Sequence, residues 1–445
     1  MNTPICDFVN QYKNSNPLRF HMPGHKGLSF LGVEDIDITE INGADSLYEA
    51  SGIIKESEEN AGRLFGCKTF YSAEGSSLCI KAMLYLTVLY AKQKCRKPLI
   101  WAGRNVHKSF LHAAALLDFE TEWLYSKEKS SYLSCVIDAD FLQKAFDEAE
   151  ELPVAVYITS PDYLGNVADI KSLAKVCRKN GVLLIVDNAH GAYLKFLPLS
   201  LHPIDMGADI CCDSAHKTLP VLTGGAYLHI SDSAPDLFSV QAKNALSLFG
   251  STSPSYIILQ SLDYANKYIS DGYCEKLSSF TDEVNGLKEL LIEHGFELYG
   301  NEPLKLTVKT KPYGYTGIDF ADILLKNKIV CEFADPDFIV FMLTPENGSD
   351  SLSVLKKALL SIEKKARIED APPESGIAEK AVSIREAVFS ENEFIPVSES
   401  IGRILASPCV ACPPAVPIVV CGEIIDKNAA ECFKYYGTEE CTVIK

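Results

Sequence analysis

The stretch Val182-Leu183-Leu184-Ile185-Val186-Asp187-Asn188-Ala189-His190-Gly191 decides the fold class. Five apolar residues in a row show no polar alternation, so they predict a strand covered on both faces, as in parallel sheets. Residues 170–179, just before it, have helical spacing. Working outward, the same pairing of helix and apolar strand recurs. Strands are expected at 99–102, 154–159, 209–212 and 226–230, and helices at 54–65, 78–90 and 108–117. Helices alternating with buried strands predict an α/β fold with a mainly parallel central sheet.

The style changes toward the C-terminus. A long helical stretch is expected at 256–294, then strands at 304–308, 329–333 and 338–343 with helices at 318–326 and 352–364. That pattern predicts a small α+β domain. Residues 368–375 hold two prolines and an acidic pair and read as a linker. Ile377, Ala381, Ile384 and Val388 form a helical stripe, and a Pro- and Cys-rich tail with short strands follows. The expected organisation is an N-terminal arm at 1–51, a large domain at 52–255, the small domain at 256–367 and a short C-terminal domain at 368–445.

Charge narrows the partners. The 445 residues carry 42 Lys plus Arg against 59 Asp plus Glu, a net charge of −17. Such a surface disfavours nucleic acid and anionic membranes, both polyanions, and suits a small cationic substrate. No run of about 18 apolar residues predicts a membrane span. The N-terminus lacks a basic-then-apolar signal pattern, so a cytoplasmic location is expected. Most of the 15 cysteines are scattered singly and read as buried hydrophobes. Cys409-x-x-Cys412, followed by Cys421 and Cys432, lacks a second close pair or a nearby histidine, so no metal is expected.

Four segments carry chemistry. In Asp213-Ser214-Ala215-His216-Lys217-Thr218 the lysine follows a core strand. Desolvation there disfavours its ammonium form and leaves an amine able to form a Schiff base. Ser214 and His216 beside it are hydrogen-bonding groups suited to a phosphate. Asp187 closes its strand 30 residues earlier. Ligands of open α/β sheets bind at the carboxyl ends of strands, and a carboxylate there can pair with a pyridinium nitrogen. Ser72-Ala73-Glu74-Gly75-Ser76-Ser77 opens a helix and offers N–H groups and hydroxyls to a phosphate. Arg104-Asn105-Val106-His107-Lys108-Ser109 places an imidazole, His107, at a strand end, where it can stack on a ring. Each segment has an ordinary explanation alone, the Gly-Ser-Ser as an N-cap and Asp187 as a turn residue. In this order on an α/β pattern they predict a pyridoxal 5'-phosphate lysine enzyme of the aspartate-aminotransferase fold, fold type I.

The chain resembles the Orn/Lys/Arg decarboxylases, in the short form without an N-terminal wing domain. The resemblance rests on Phe20-His21-Met22-Pro23-Gly24-His25-Lys26-Gly27, Asp37-Ile38-Thr39-Glu40, the Arg104, Asp187 and Ser214 segments, Thr252-Ser253-Pro254-Ser255-Tyr256 and Pro303-Leu304-Lys305-Leu306. Pro413-Pro414-Ala415-Val416-Pro417 and Gly422-Glu423 are similar to the family's Pro-Pro-Gly and Pro-Gly-Glu signatures. The resemblance implies that Lys217 is the Schiff-base lysine, Asp187 the pyridine partner and His107 the stacking ring, with His190 beside it. It implies that Gly75, Ser76, Ser77, Ser214 and His216 hold the phosphate. It also implies a homodimer or higher homo-oligomer with shared active sites, residues 251–255 reaching the neighbouring site.

The departures are Asn188, where the family has Glu or Ser, the residues around Ala73-Glu74, Ala415 in place of glycine and Cys421 in place of proline. The expected activity is α-decarboxylation of a basic amino acid. Arginine, giving agmatine for polyamine synthesis, comes first, then lysine and ornithine. A dibasic substrate needs a carboxylate for its far end, and Glu423 is the candidate, with an exposed surface carboxylate as its alternative reading. Two other functions stand beside this one. They are an aminotransferase or lyase with the same cofactor, and a non-catalytic regulatory relative, against which the intact Asp187, His216 and Lys217 argue.

Overall fold

The computed structural model describes residues 1–126, 131–374, 376–408 and 414–445. The chain divides into two compact units, Met1–Lys97 with Ile170–Leu277, and Pro98–Asp169 with Ser278–Lys445. Cys409 and Cys412 lie outside the described residues. Every cysteine among the described residues is a free thiol. No described helix is long and apolar enough to cross a membrane.

Among the described residues thirteen strands follow in chain order: β1 (Lys68–Ser72), β2 (Leu99–Gly103), β3 (Glu120–Leu124), β4 (Ala155–Thr159), β5 (Leu183–Asp187), β6 (Ile210–Asp213), β7 (Ala226–Ile230), β8 (Glu297–Tyr299), β9 (Lys305–Lys309), β10 (Phe333–Ala334), β11 (Phe338–Met342), β12 (Asn392–Pro396) and β13 (Glu440–Ile444).

The first unit holds the order β1-β7-β6-β5. β5 and β6 are parallel, while β7 runs antiparallel to both β6 and β1. β1, β5 and β6 therefore point the same way, and their carboxyl ends share one edge. β5 and β7 are buried at every position, as continuous apolar strands require. The helix Gly75–Gln93 buries Leu78, Ala82, Met83 and Leu86 at helical spacing.

Two helices of this unit are capped from a distance. Pro4–Asn14 has no side-chain cap at Thr3. Its Ile5 and Cys6 N–H groups instead donate to Asp263 Oδ2, both at 3.0 Å. Ile53–Phe65 begins after Gly52, which has no side chain to cap with, and Asp45 Oδ2 accepts the Gly52 and Ile54 N–H groups at 2.8 and 3.1 Å. The N-terminal arm thus contains a helix, anchored by buried Ile5 and Val9. The helical stretch at 256–294 is two helices, Tyr256–Ser270 and Tyr273–Glu293. They separate at Gly272, whose φ of +81° leaves the helical region.

The second unit holds β4-β2-β3, all parallel, and a separate sheet β10-β11-β9-β8, antiparallel throughout. The strand expected at 329–333 shrinks to the two residues of β10. The stripe from Ile377 gives only the helix Ile384–Phe389. β12 and β13 pair antiparallel, and Lys427–Tyr435 forms a helix that was not expected. Phe433, Leu405, Val443 and Ile425 make that segment's core.

Asp335, between β10 and β11, is buried. Its Oδ1 accepts the Asp337 and Phe338 N–H groups at 2.8 and 2.7 Å. Burial outweighs these bonds and raises its carboxyl from 3.8 to about 7. Between those values the folded state keeps a proton that the unfolded chain has lost. Stability therefore falls as pH rises through that window and levels off above it. Asp335→Asn is expected to flatten the decline by about 4 kcal/mol, read from urea midpoints at acid and alkaline pH. An unchanged pH slope would mean that Asp335 is ionised throughout.

Candidate active site

The shared carboxyl edge of β1, β5 and β6 collects the residues singled out from the sequence. After β1, Ser72 Oγ donates to Gly75 O at 3.0 Å and accepts the Glu74 N–H at 3.1 Å, which shapes the turn into the helix. Gly75 has φ +71° and open space where a Cβ would stand. Its N–H donates to Gly224 O at 2.7 Å. Ser76 and Ser77 follow in the helix's first turn. After β6, Ser214 Oγ donates to Ser76 Oγ at 2.8 Å, joining the two loops.

The short helix Ala215–Thr218 carries His216 and Lys217. His216 Nδ1 lies 3.0 Å from Gly225 O. A carbonyl only accepts, so this nitrogen carries the proton. Burial lowers the affinity of His216 for a second proton, and Lys217 adds to this, which favours the neutral ring. Lys217 Nζ lies 3.0 Å from His190 Nε2. Asp187, 2% exposed, ends β5. Its Oδ1 accepts the Ala189 N–H at 3.2 Å and the Cys212 thiol at 3.7 Å. The structure thus brings Gly75, Ser76, Asp187, His190, Ser214, His216 and Lys217 to one edge of the first unit. Together they set an amine, a carboxylate, hydroxyls and a helix N-terminus at one strand edge.

His107 and Glu423 belong to the second unit. His107 caps the helix Lys108–Leu117, and its Nδ1 accepts the Ser109 N–H at 3.2 Å. Glu423 is not the exposed carboxylate of its alternative reading, since only 3% of it is accessible. Its Oε2 is already paired. Arg104 Nη2 donates to its Oε2 at 2.9 Å, and the Val420 N–H does so at 2.7 Å. Burial raises the Glu423 carboxyl, and Arg104 partly offsets that. The same Arg104 nitrogen donates to Ile418 O at 3.1 Å, and the guanidinium lies 5.3 Å from the centre of the Trp123 ring.

Sequence reasoning missed Arg104 as the partner of Glu423, because 319 residues separate them. It also missed the surroundings of Asp213, where Asn188, His202 and His229 converge. Nothing in the spacing of those residues points to a cluster.

Comparison with known proteins bears on the family and the fold. The model of the Orn/Lys/Arg decarboxylase major domain matches residues 3–293, and that of the family's C-terminal domain matches 368–441. An arginine decarboxylase of Halalkalibacterium halodurans is 30% identical, covering 96% of this chain and 91% of its own length. The uncharacterized protein YaaO of Bacillus subtilis is 29% identical, covering 97% and 93%. The crystal structure of the Francisella novicida lysine decarboxylase LdcF has a TM-score of 0.79 at 18% identity, covering 100% of this chain and 81% of that one. At that identity the likeness bears on fold alone, and it agrees with a fold-type-I α/β architecture. The chain therefore belongs to the Orn/Lys/Arg decarboxylase family and is an amino-acid decarboxylase.

Proposed function

We propose that the protein removes the α-carboxylate of a basic amino acid with pyridoxal 5'-phosphate, arginine giving agmatine being the first choice and lysine and ornithine the next. The observation that carries this reading is the Lys217 amine, 3.0 Å from His190 and on the same strand edge as the buried Asp187. The near full-length likeness to an arginine decarboxylase supports the order of substrates.

The residues present fit the cofactor. Gly75 leaves open space beside the N-terminus of a 19-residue helix, and the Ser76 and Ser214 hydroxyls meet there. That is a cradle for a phosphate. When bound, pyridoxal phosphate supplies an aldehyde for an amine and a ring that takes up the electron pair left by the departing carboxylate. Lys217 would hold the aldehyde carbon, and His190 Nε2 would exchange a proton with its Nζ. Asp187, fixed by the Ala189 N–H, would keep the ring nitrogen protonated. The neutral His216 and the hydroxyls of Ser76, Ser77 and Ser214 would hold the phosphate. His107 keeps its reading as the stacking imidazole, its ring oriented by Ser109.

A homodimer in a cytoplasmic setting completes the proposal. Leu18, Phe20, Met22, Leu28, Phe30 and Leu31 are exposed in the arm, Phe20 at 92%, which supports burial against a second copy. The testing experiment incubates the purified protein with pyridoxal phosphate and arginine, lysine or ornithine, and measures CO2 and amine. Release of both from one of the three is expected. A keto acid without CO2 would replace the reading with an aminotransferase.

A further inference from the structure

Asp213 ends β6, directly before Ser214 and on the same short segment as Lys217. Its side chain is fully buried, and three side chains among the described residues donate to it. Asn188 Nδ2 reaches Oδ1 at 2.6 Å. His202 Nε2 and His229 Nε2 both reach Oδ2 at 3.1 Å.

The protons can be placed. His202 Nδ1 accepts the Ile204 N–H at 3.4 Å, so that nitrogen is bare and Nε2–H faces the carboxylate. His229 Nδ1 lies 2.9 Å from Thr69 Oγ1 and 3.7 Å from Cys67 Sγ. Burial lowers the proton affinity of His229, and the Asp213 carboxylate more than reverses this. Burial likewise pushes Asp213 up, but the two imidazoles outweigh it and hold the carboxyl well below its usual range. Asp213 is thus held ionised, and its carboxylate favours the protonated form of His229. The Phe65 ring packs on His229 at 4.3 Å between centroids and Tyr227 at 5.5 Å. Other titratable groups that act on the cluster include Cys67, Cys79, Cys211, Cys212, Tyr227 and Asp205. His202, Cys211 and Asp213 also bring three potential ligand atoms within 4.8 Å.

A buried charge cluster costs desolvation energy and adds nothing to strand pairing. Its connections point to what it does. Asn188 follows Asp187, its N–H donates to Cys212 O at 3.0 Å, and its carbonyl accepts the Gly191 N–H at 2.8 Å. The loop bearing Asp187 and His190 thus hangs from Asp213 through one amide. It has no slack, since a Cβ on Gly191 would stand 2.1 Å from Asn188 Oδ1. In the other direction the Asp213 backbone leads to Lys217, whose amine meets His190.

We propose that Asp213, held by His202 and His229, is a positioning residue that sets the separation of Asp187 and His190 from Lys217 through the Asn188 amide. This rests on the reading of Lys217 and Asp187 as cofactor residues. When protonated, His229 cancels the Asp213 charge on the strand next to Asp187.

The test uses the full chain with Asn188→Ala and Asp213→Asn. Asn188→Ala removes the side-chain bond from Asn188 to Asp213 and leaves the loop's backbone hydrogen bonds. It should fold and bind pyridoxal phosphate, lose kcat by on the order of 10²-fold with KM changed far less, and move the pH dependence of the bound cofactor's absorbance. Histidine ring-nitrogen NMR of the cofactor-free protein should show His229 doubly protonated near about pH 7 in the wild type and singly protonated in Asp213→Asn. Unchanged kcat and absorbance titration in Asn188→Ala, with cofactor bound, would overturn the positioning role alone. A singly protonated His229 in the wild type would overturn the charged triad. Failure of the wild type to take up pyridoxal phosphate would overturn the cofactor reading and this role with it, and the NMR result would then show the triad to be structural only.

Discussion

Lys217→Ala is expected to lower CO2 release by on the order of 10³-fold or more and to abolish the absorbance band of bound cofactor. Lys217 offers an amine at the carboxyl edge of the first unit's sheet, 3.0 Å from His190 Nε2. Alanine removes that amine while retaining the backbone of the Ala215–Thr218 turn and the Ser214 to Ser76 hydroxyl contact. The phosphate cradle should therefore survive, and pyridoxal phosphate should still bind, reversibly and without the band. Turnover near the wild-type rate would remove Lys217 from the chemistry.

Glu423→Ala is expected to cost about 3–5 kcal/mol of stability, measured from urea midpoints, because removing one partner of a buried ion pair strands the other. The Arg104 and Glu423 side chains are 16% and 4% exposed and 2.9 Å apart. The Val420 N–H would lose its acceptor as well. Arg104→Met with Glu423→Met should recover most of the loss, since an apolar pair of similar volume escapes the desolvation penalty. A stability loss below about 1 kcal/mol together with a large rise in KM would instead return Glu423 to the role the motif implied for it, as the carboxylate that meets the substrate's distal cation.

The α/β architecture was legible because its signals are local. The buried strand at 183–187 is a run of apolar residues, and the helices at 108–117 and 170–179 match their expected bounds because their apolar spacing is regular. The strand-end motifs were legible for the same reason. A lysine, a carboxylate and a Gly-Ser-Ser turn each follow an apolar run, and a common strand direction brings such ends to one edge. The helix Pro4–Asn14 was missed because Thr3 makes no side-chain cap and the capping carboxylate is Asp263, some 257 residues away. The strand expected at 329–333 shortened because Lys328 adopts φ +60° and the chain is still turning there.

Residue order thus settled the fold class, the family and the candidate lysine, since each is written in side-chain pattern over a few neighbouring positions. It did not settle which ionisable groups are charged partners and which are free for substrate. Glu423 looked available in its motif and is paired to Arg104, while Asp213 looked like a strand end and holds two imidazoles and an amide. Those pairings are set by desolvation, which leaves a buried charge only where an opposite charge or donor arrives from elsewhere in the chain. Which groups arrive is a property of the folded packing, and no local spacing encodes it.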